Sequence, residues 1–317
     1  MTDPAAAMLT TVHASSRLDI CVLGGTGFVG RRLLPYLARQ GHTLRVPTRR
    51  PVAPGELRVL PDLTILHGDV SNPAFLRACV RGCDAVVNLI GILNEKGRDG
   101  SGFRAIHADL VRELLEACRQ GGVRKLVQIS ALQADAEAGA SHYLRSKGQA
   151  ENLIRHCELP AWTVLQPSVI FGPGDSFLNR FATLLRITPV FPLARPDARF
   201  APVHVDDVVA AIDRALTDPD TDGHCYQLCG PEVFSLLAIV RLIARTLRLH
   251  RWVFGLPDWL GYLQAAILEW LPGKPFSIDN FRSLKTPSLC SEDGFHELGL
   301  QPRSLRLNIE RSLRPPG

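Results

Sequence analysis

Lysine is scarce in this chain of 317 residues: five lysines stand against 31 arginines. No lysine block and no basic stripe interleaved with aromatics occurs, so a net charge of +5 does not point to nucleic acid. No apolar run reaches the length of a membrane span. The nearest, "WVFGLPDWLGYLQAAILEWL", is broken by Gly255, Pro257, Asp258 and Glu269. The eight cysteines contain no CxxC pair, and no histidines sit at zinc spacing, so no metal site is expected. Cys225 and Cys229 fall in one apolar strand, and all eight are read as reduced core thiols of a cytosolic protein. Residues 1–17, "MTDPAAAMLTTVHASSR", lack a charged segment followed by an apolar one. They are not a signal peptide and are expected to form a disordered leader.

What is present is a regular alternation of strand and helix. "ICVL" is apolar and partly β-branched, as a buried parallel strand requires. After Gly30, Leu33, Leu34 and Leu37 recur at helical spacing. Further strands are read at "TLRVPT" (Thr43 to Thr48), "LTILHGDV" from Leu63, "DAVVNLIGI" from Asp84, "RKLVQIS" and "AWTVLQPSVIFG" from Ala161. Helices are read near Pro73 to Val80, over "FRAIHADLVRELLEACRQGG" and over "SHYLRSKGQAENLIRHC". This pattern predicts an α/β fold, a Rossmann doubly wound parallel sheet, over 18–170. Prolines crowd the chain from Pro173. Residues 171–199 and 219–317 are assigned to a smaller C-terminal lobe, with 200–218 returning to the first domain.

Gly24, Gly25, Gly27 and Gly30 lie between the first strand and the first helix. A turn without Cβ atoms lets a pyrophosphate reach the N–H groups at a helix N-terminus. The spacing Gly24-x-x-Gly27-x-x-Gly30 is one residue off the dinucleotide fingerprint, and a plain tight turn is the alternative. The second strand ends in Arg49 and Arg50, where an NAD site has an acid; none occurs between Asp19 and Glu56. Two arginines there suit the extra phosphate of NADP. Asp69 and Val70 follow the third strand, where an adenine edge passes. Asn88 and Gly91 close the fourth, along the cofactor backbone. Tyr143 and Lys147 are four apart on one helix, so they share a face. The ammonium can lower the phenol pKa and hold a ribose while the phenol exchanges a proton with a substrate oxygen.

These strings together resemble the extended and atypical short-chain dehydrogenase/reductase superfamily over roughly residues 18–216, through "GGTGFVG", "GDV", "YLRSK", "LQPSVIFGPGD" and "PVHVDDV". More narrowly, "LQPSVIFGPGDSFLNRFA", "HYLRSKGQAE" and "LPGKPFSIDNFRSLKTPS" are similar to the family of the NAD(P)H-binding accessory subunit of respiratory complex I and its bacterial relatives. The resemblance implies that Gly24, Gly27, Phe28, Val29 and Gly30 hold pyrophosphate, Arg49 and Arg50 the adenosine phosphate, and Asp69 and Val70 adenine. It makes Tyr143 and Lys147 the active pair, with Ser130 the third catalytic candidate near the nicotinamide, and puts Pro167 and Ser168 beside the nicotinamide. Two positions depart from it. A hydroxyl is expected two residues after Ser130, where this chain has Leu132. The long helix often carries an asparagine where this chain has His107, read here as a satisfied helix histidine.

Three functions compete. One is a slow NADP(H)-dependent oxidoreductase on an apolar carbonyl or quinone-like substrate, with NAD(H) the lesser cofactor. Another is a cofactor-bound accessory protein of the respiratory NADH:quinone system, cytoplasmic and peripheral on the inner face of the membrane. The third is a sugar-nucleotide epimerase or reductase. Trp252, Trp259, Trp270, Phe254 and Phe276 are expected mostly to pack the small lobe. The stretch from Trp252 to Leu271 is also a candidate for covering the substrate side or for meeting a partner or membrane surface.

Overall fold

The computed structural model describes residues 17–51, 55–271 and 274–313. The expected leader lies outside the described residues except Arg17, which bonds to Thr43 and pairs with Asp62. Six strands follow in chain order: β1 (Asp19–Leu23), β2 (Thr43–Thr48), β3 (Leu63–His67), β4 (Ala85–Asn88), β5 (Lys125–Ile129) and β6 (Ala161–Pro167). A seventh, His224–Leu228, pairs with β6. All neighbours are parallel, and the order is seventh-β6-β5-β4-β1-β2-β3. The interior of β1 is fully buried, which accounts for its unbroken apolar run.

The first helices are α1 (Phe28–Arg39), α2 (Gly55–Arg58), α3 (Pro73–Val80), α4 (Ser101–Arg104), α5 (Leu110–Gly121) and α6 (His142–Arg155). They are followed by α7 (Phe177–Ile187), α8 (Val205–Thr217), α9 (Leu236–Thr246), α10 (Asp258–Leu268), α11 (Ile278–Ser283), α12 (Gly294–Glu297) and α13 (Leu305–Ser312). One sheet face packs on α1 and α8 through Leu33, Leu37, Val208 and Ile212; the other packs on α3, α5 and α6 through Leu76, Leu114 and Ile154. A third core, built on Phe171, Leu185, Ile239 and Ile243, belongs to the C-terminal lobe.

Four expectations need correction. The sheet reaches past the expected boundary: the seventh strand and α12, whose Phe295 joins the sheet core, come from the segment assigned to the lobe. The expected single long helix is interrupted by a π turn over Ala105–Asp109. The expected sixth strand stops at Pro167, and Ile170–Phe171 pairs instead with Val203–His204. Cys229 lies just past the seventh strand and forms a disulfide with Cys290. Their separation of 61 residues carries no pairing signal; the topology brings them together. The other six cysteines are unpaired thiols.

The chain turns at β1 because its neighbours, β2 and β4, are reached by connections running in opposite directions. Doubly wound sheets open a crevice at this point. A Cβ on Gly30 would overlap the Gly25 carbonyl, so helix α1 can approach β1 only with glycine there. Gly30→Ala should therefore cost about 1–3 kcal/mol in urea unfolding, as overpacking does. Gly55→Ala, with open space around its Cβ, should stay within about 0.5 kcal/mol. Equal midpoints for the two variants would contradict this packing.

Candidate functional site

The glycine turn closes on the crevice. Gly24 has φ +76°, and a Cβ there would stand 3.1 Å from the Leu89 carbonyl carbon and 3.2 Å from the Ile90 nitrogen. The loop after β1 thus abuts the loop after β4. Gly27 donates to the Gly24 carbonyl at 2.9 Å and begins α1 with no side-chain cap and no acid in the first turn. The first N–H groups of the helix, at Phe28, Val29 and Gly30, have no intrahelical acceptor by geometry. This uncapped positive end, beside a turn that Cβ atoms would fill, fits a pyrophosphate.

Arg49 and Arg50 follow β2 and are exposed. The Arg50 N–H donates to Thr48 Oγ1 at 3.2 Å, and its carbonyl meets the His67 ring at 3.0 Å, so the backbone is held while the side chains project outward. Asp69 is exposed and accepts the Ser71 N–H at 3.0 Å. Hydrogen bonds from Ser71, and more weakly the Arg49 cation, hold its carboxyl below the usual range. The Val70 side chain packs toward the sheet core, leaving its backbone to the crevice. Asn88 is buried and committed: its amide donates to Gln128 at 2.9 Å, and its oxygen accepts the Ile90 N–H. It shapes the loop rather than offering its side chain.

Lys147 is buried and donates to the Ile129 carbonyl at 3.0 Å. Burial pushes its pKa down to about 8, partly countered by the Glu151 carboxylate. Glu151 in turn is held by Gln166 at 2.8 and 2.9 Å and by Arg155 at 2.9 Å. Gly91 sits opposite, where a Cβ would be 3.3 Å from Lys147 Nζ and 3.5 Å from His107 Nε2. The Tyr143 ring packs edge-on against His107 and Phe103, with centroids 5.5 and 6.0 Å away. Burial raises its phenol to about 12. The expected lowering by Lys147 is not present in the free protein.

His107 joins the site through the π turn. Its Nε2 accepts the Ile92 N–H at 3.1 Å, and its Nδ1 lies 2.8 Å from Ser146 Oγ, which donates to the Tyr143 carbonyl. This network assigns a neutral ring with the proton on Nδ1. Burial and then the Lys147 charge push its pKa down to about 2. His107 is satisfied, as expected, and it also ties the loop after β4 to the helix of Tyr143.

Three further positions differ in character. The Ser130 hydroxyl is buried beside Glu151 and finds no close hydrogen-bond partner. Leu132 is buried, and its N–H donates to the Pro167 carbonyl at 3.3 Å. Ser168 is tied at 3.0 Å to both the carbonyl and the hydroxyl of Ser288, which bind this edge to the C-terminal lobe.

Asp279 was not singled out from sequence. Its carboxylate accepts the His142 N–H at 2.7 Å and the Tyr143 N–H at 3.2 Å, capping α6 from 137 and 136 residues away. Ser141 caps the Leu144 N–H and accepts from Ser283 at 2.8 Å. The capping-box sequence Ser277-x-x-Asn280 marks this element, but nothing in it says what the next acid reaches. Beside it lies a cavity of about 140 Å³ lined by Phe103, His142, Asp279, Arg98, Glu269 and Lys274. Among the described residues no cluster of histidine, cysteine or acids could hold a metal ion.

A family model described as NAD(P)H-binding matches residues 24–176. The chain is 30% identical to the mitochondrial NADH dehydrogenase [ubiquinone] 1 alpha subcomplex subunit 9 of Mus musculus, over 92% of this chain and 79% of that protein. It is 31% identical to the ceramide reductase of Caulobacter vibrioides over 61% of this chain and 59% of that one. Among solved structures, MoeE5 in complex with UDP-glucuronic acid and NAD superposes with a TM-score of 0.73 at 20% identity, covering 93% and 97% of the two chains. At that identity the likeness speaks to the fold alone.

The buried neutral histidine has a pH signature. Its folded pKa lies below the ordinary 6.5, so the unfolded chain takes up a proton that the folded chain refuses. Between pH 6.5 and about 2, its contribution to stability should fall by about 1.4 kcal/mol per pH unit as pH drops. Compared with His107→Asn, the wild-type protein should lose about 2 kcal/mol of relative stability between pH 7 and 5. Parallel stability curves for the two proteins would refute a neutral His107.

Proposed function

We propose a function from one fixed point: the chain belongs to the family of the NADH dehydrogenase [ubiquinone] 1 alpha subcomplex subunit 9 proteins, with the NAD(P)H-binding fold of short-chain dehydrogenases/reductases. Within that family it is an NADP(H)-preferring reductase that acts slowly on an apolar carbonyl or quinone-like substrate. The observation that carries this reading is that Gly91 lies against both Lys147 and His107, and that His107 packs on Tyr143, beside the glycine turn.

A bound nicotinamide would supply the hydride. Gly24, Gly27, Phe28, Val29 and Gly30 would hold its pyrophosphate, Arg49 and Arg50 the ribose phosphate, and Asp69 with the Val70 backbone the adenine. Asn88 keeps the β4 loop in shape, and Lys147, still charged at neutral pH beside Gly91, would donate to the ribose hydroxyls. Pro167 and Ser168 form the far edge. Tyr143 gives its phenolic proton to the substrate oxygen. Leu132 offers no second donor to that oxygen, which makes turnover slow. Ser130, buried beside Glu151, does not replace it.

The same leucine favours a second reading, a cofactor-bound accessory protein of a respiratory NADH:quinone system that hardly turns over. A sugar-nucleotide enzyme is the third reading; the polar lining of the cavity beside His142, with Arg98, Glu269 and Lys274, does not argue against it. No helix of the described residues is long and apolar enough to cross a membrane. The proposed place is the cytoplasmic side, peripheral on the inner face of a respiratory membrane.

Two experiments test this. Replacing Arg49 and Arg50 together by alanine should weaken NADPH binding by about 1.5–3 kcal/mol per charged hydrogen bond lost and leave NADH nearly unchanged. Equal titrations of the unmutated protein with NADPH and NADH would refute the preference. Tyr143→Phe should slow NADPH oxidation with a quinone or carbonyl on the order of 100-fold or more while cofactor affinity holds. An absence of oxidation in the unmutated protein would move the assignment to the accessory role.

A further inference from the structure

Helix α10 turns its apolar side outward. Trp259, Tyr262, Leu263, Ile267 and, just past its end, Trp270 recur at three- and four-residue steps, so they form one stripe. All are exposed, Trp259 by 68% and Trp270 by 75%. The side that packs is the small one: Gly261 meets Ala194 and Phe281, and Ala265 is buried. The adjoining strands Val190–Leu193 and Trp252–Gly255 add exposed Val190 and Trp252, and Ile187 projects just before them. The tryptophans expected to pack the lobe thus lie on its surface. A contiguous exposed patch of this kind marks an interaction face.

The charge around it is mainly positive, although Glu95 and Asp99 flank Lys96 and Arg98. From Phe177 to Arg195 there is no acid and three arginines; from Leu236 to Pro257 there is no acid and four. At the other end of α10, Arg98 lies 3.7 Å over the Trp270 ring, and Lys274 bonds to the carbonyls of Lys96 and Gly97. The two acids of the segment are answered: Asp258 pairs with Arg195 at 2.8 Å, and buried Glu269 lies 3.9 Å from Arg98. An apolar, tryptophan-bearing stripe with a cationic rim is complementary to an anionic lipid surface.

We propose that this face docks on a bilayer containing anionic lipids, with α10 in the plane of the interface and Trp252, Trp259 and Trp270 among the headgroups. The docked face borders the cavity of about 140 Å³, whose Phe103 touches the Tyr143 ring. The docking does not rest on the reductase reading.

The test is vesicle sedimentation with the full chain. It should bind phosphatidylcholine vesicles doped with phosphatidylglycerol, bind pure phosphatidylcholine far less, and release with added salt. Each surface cation near an anionic membrane contributes about fivefold, so the pair Lys96→Glu and Arg186→Glu should weaken binding at least tenfold. The triple change Trp259→Ser, Ile267→Ser, Trp270→Ser should abolish it. Thermal midpoint and NADPH affinity should stay unchanged in both, since the replaced side chains are exposed. Equal binding to the two vesicle types, or binding insensitive to the triple change, would overturn the proposal. So would no vesicle binding, including the case in which the triple change abolishes a concentration-dependent dimer. Docking without NADPH oxidation would remove the reductase reading alone; oxidation of a water-soluble carbonyl without docking would remove the membrane face alone.

Discussion

A lysine ammonium buried at the carboxyl edge of a parallel sheet is the constraint around which this site is arranged. Burial already brings Lys147 down to about 8, and a bare cation there would be costly. Its neighbours lower that cost. The Ile129 carbonyl accepts a hydrogen bond from it, and Glu151 stands one helical turn behind. His107 is kept neutral, which avoids a second positive charge across Gly91. Gly91 itself packs against the ammonium with no Cβ between them. The ammonium is thus buried and supported from behind.

The C-terminal lobe contributes to this arrangement more than cover. Asp279 supplies charge-assisted acceptors to the first two N–H groups of α6, and Asn280 reaches the Leu93 carbonyl at 3.0 Å. One short helix therefore fastens the helix of Tyr143 to the loop after β4. The position of the phenol depends on the docking of a segment more than 130 residues away. The same segment supports α10, through Phe281 against Gly261 and Tyr262. Packing thus runs continuously from the outward stripe to the phenol.

Much of the α/β fold was legible because its signals are local. The bounds Thr43 to Thr48 and Pro73 to Val80 follow from short apolar runs and a proline at a helix start. The glycine turn was legible because only glycine fits Gly24 and Gly30 as they stand. What escaped depends on distant partners. The seventh strand sits beside β6 by topology, with 56 residues between them. The disulfide joins two unremarkable cysteines. The π turn depends on how Phe103 and His107 pack against Tyr143, which periodicity cannot register. The direction of the α10 stripe was left open between the lobe and a partner or membrane surface, because apolar periodicity locates a face without saying which way it points.

The central claim is that the glycine turn is a nucleotide cradle and not only a turn. It is tested most directly by the nucleotide retained by Gly27→Val after equilibration with NADPH and gel filtration, with far-ultraviolet circular dichroism recorded in parallel. Gly27 is exposed with an extended backbone, and a Cβ there would stand 3.1 Å from the Gly24 carbonyl oxygen, so valine folds there with a small local adjustment while its branches fill the space before the α1 N–H groups. The account predicts about one NADPH per chain for the unmutated protein and none for the variant, with unchanged circular dichroism. A folded variant that retains NADPH as the unmutated protein does would contradict it.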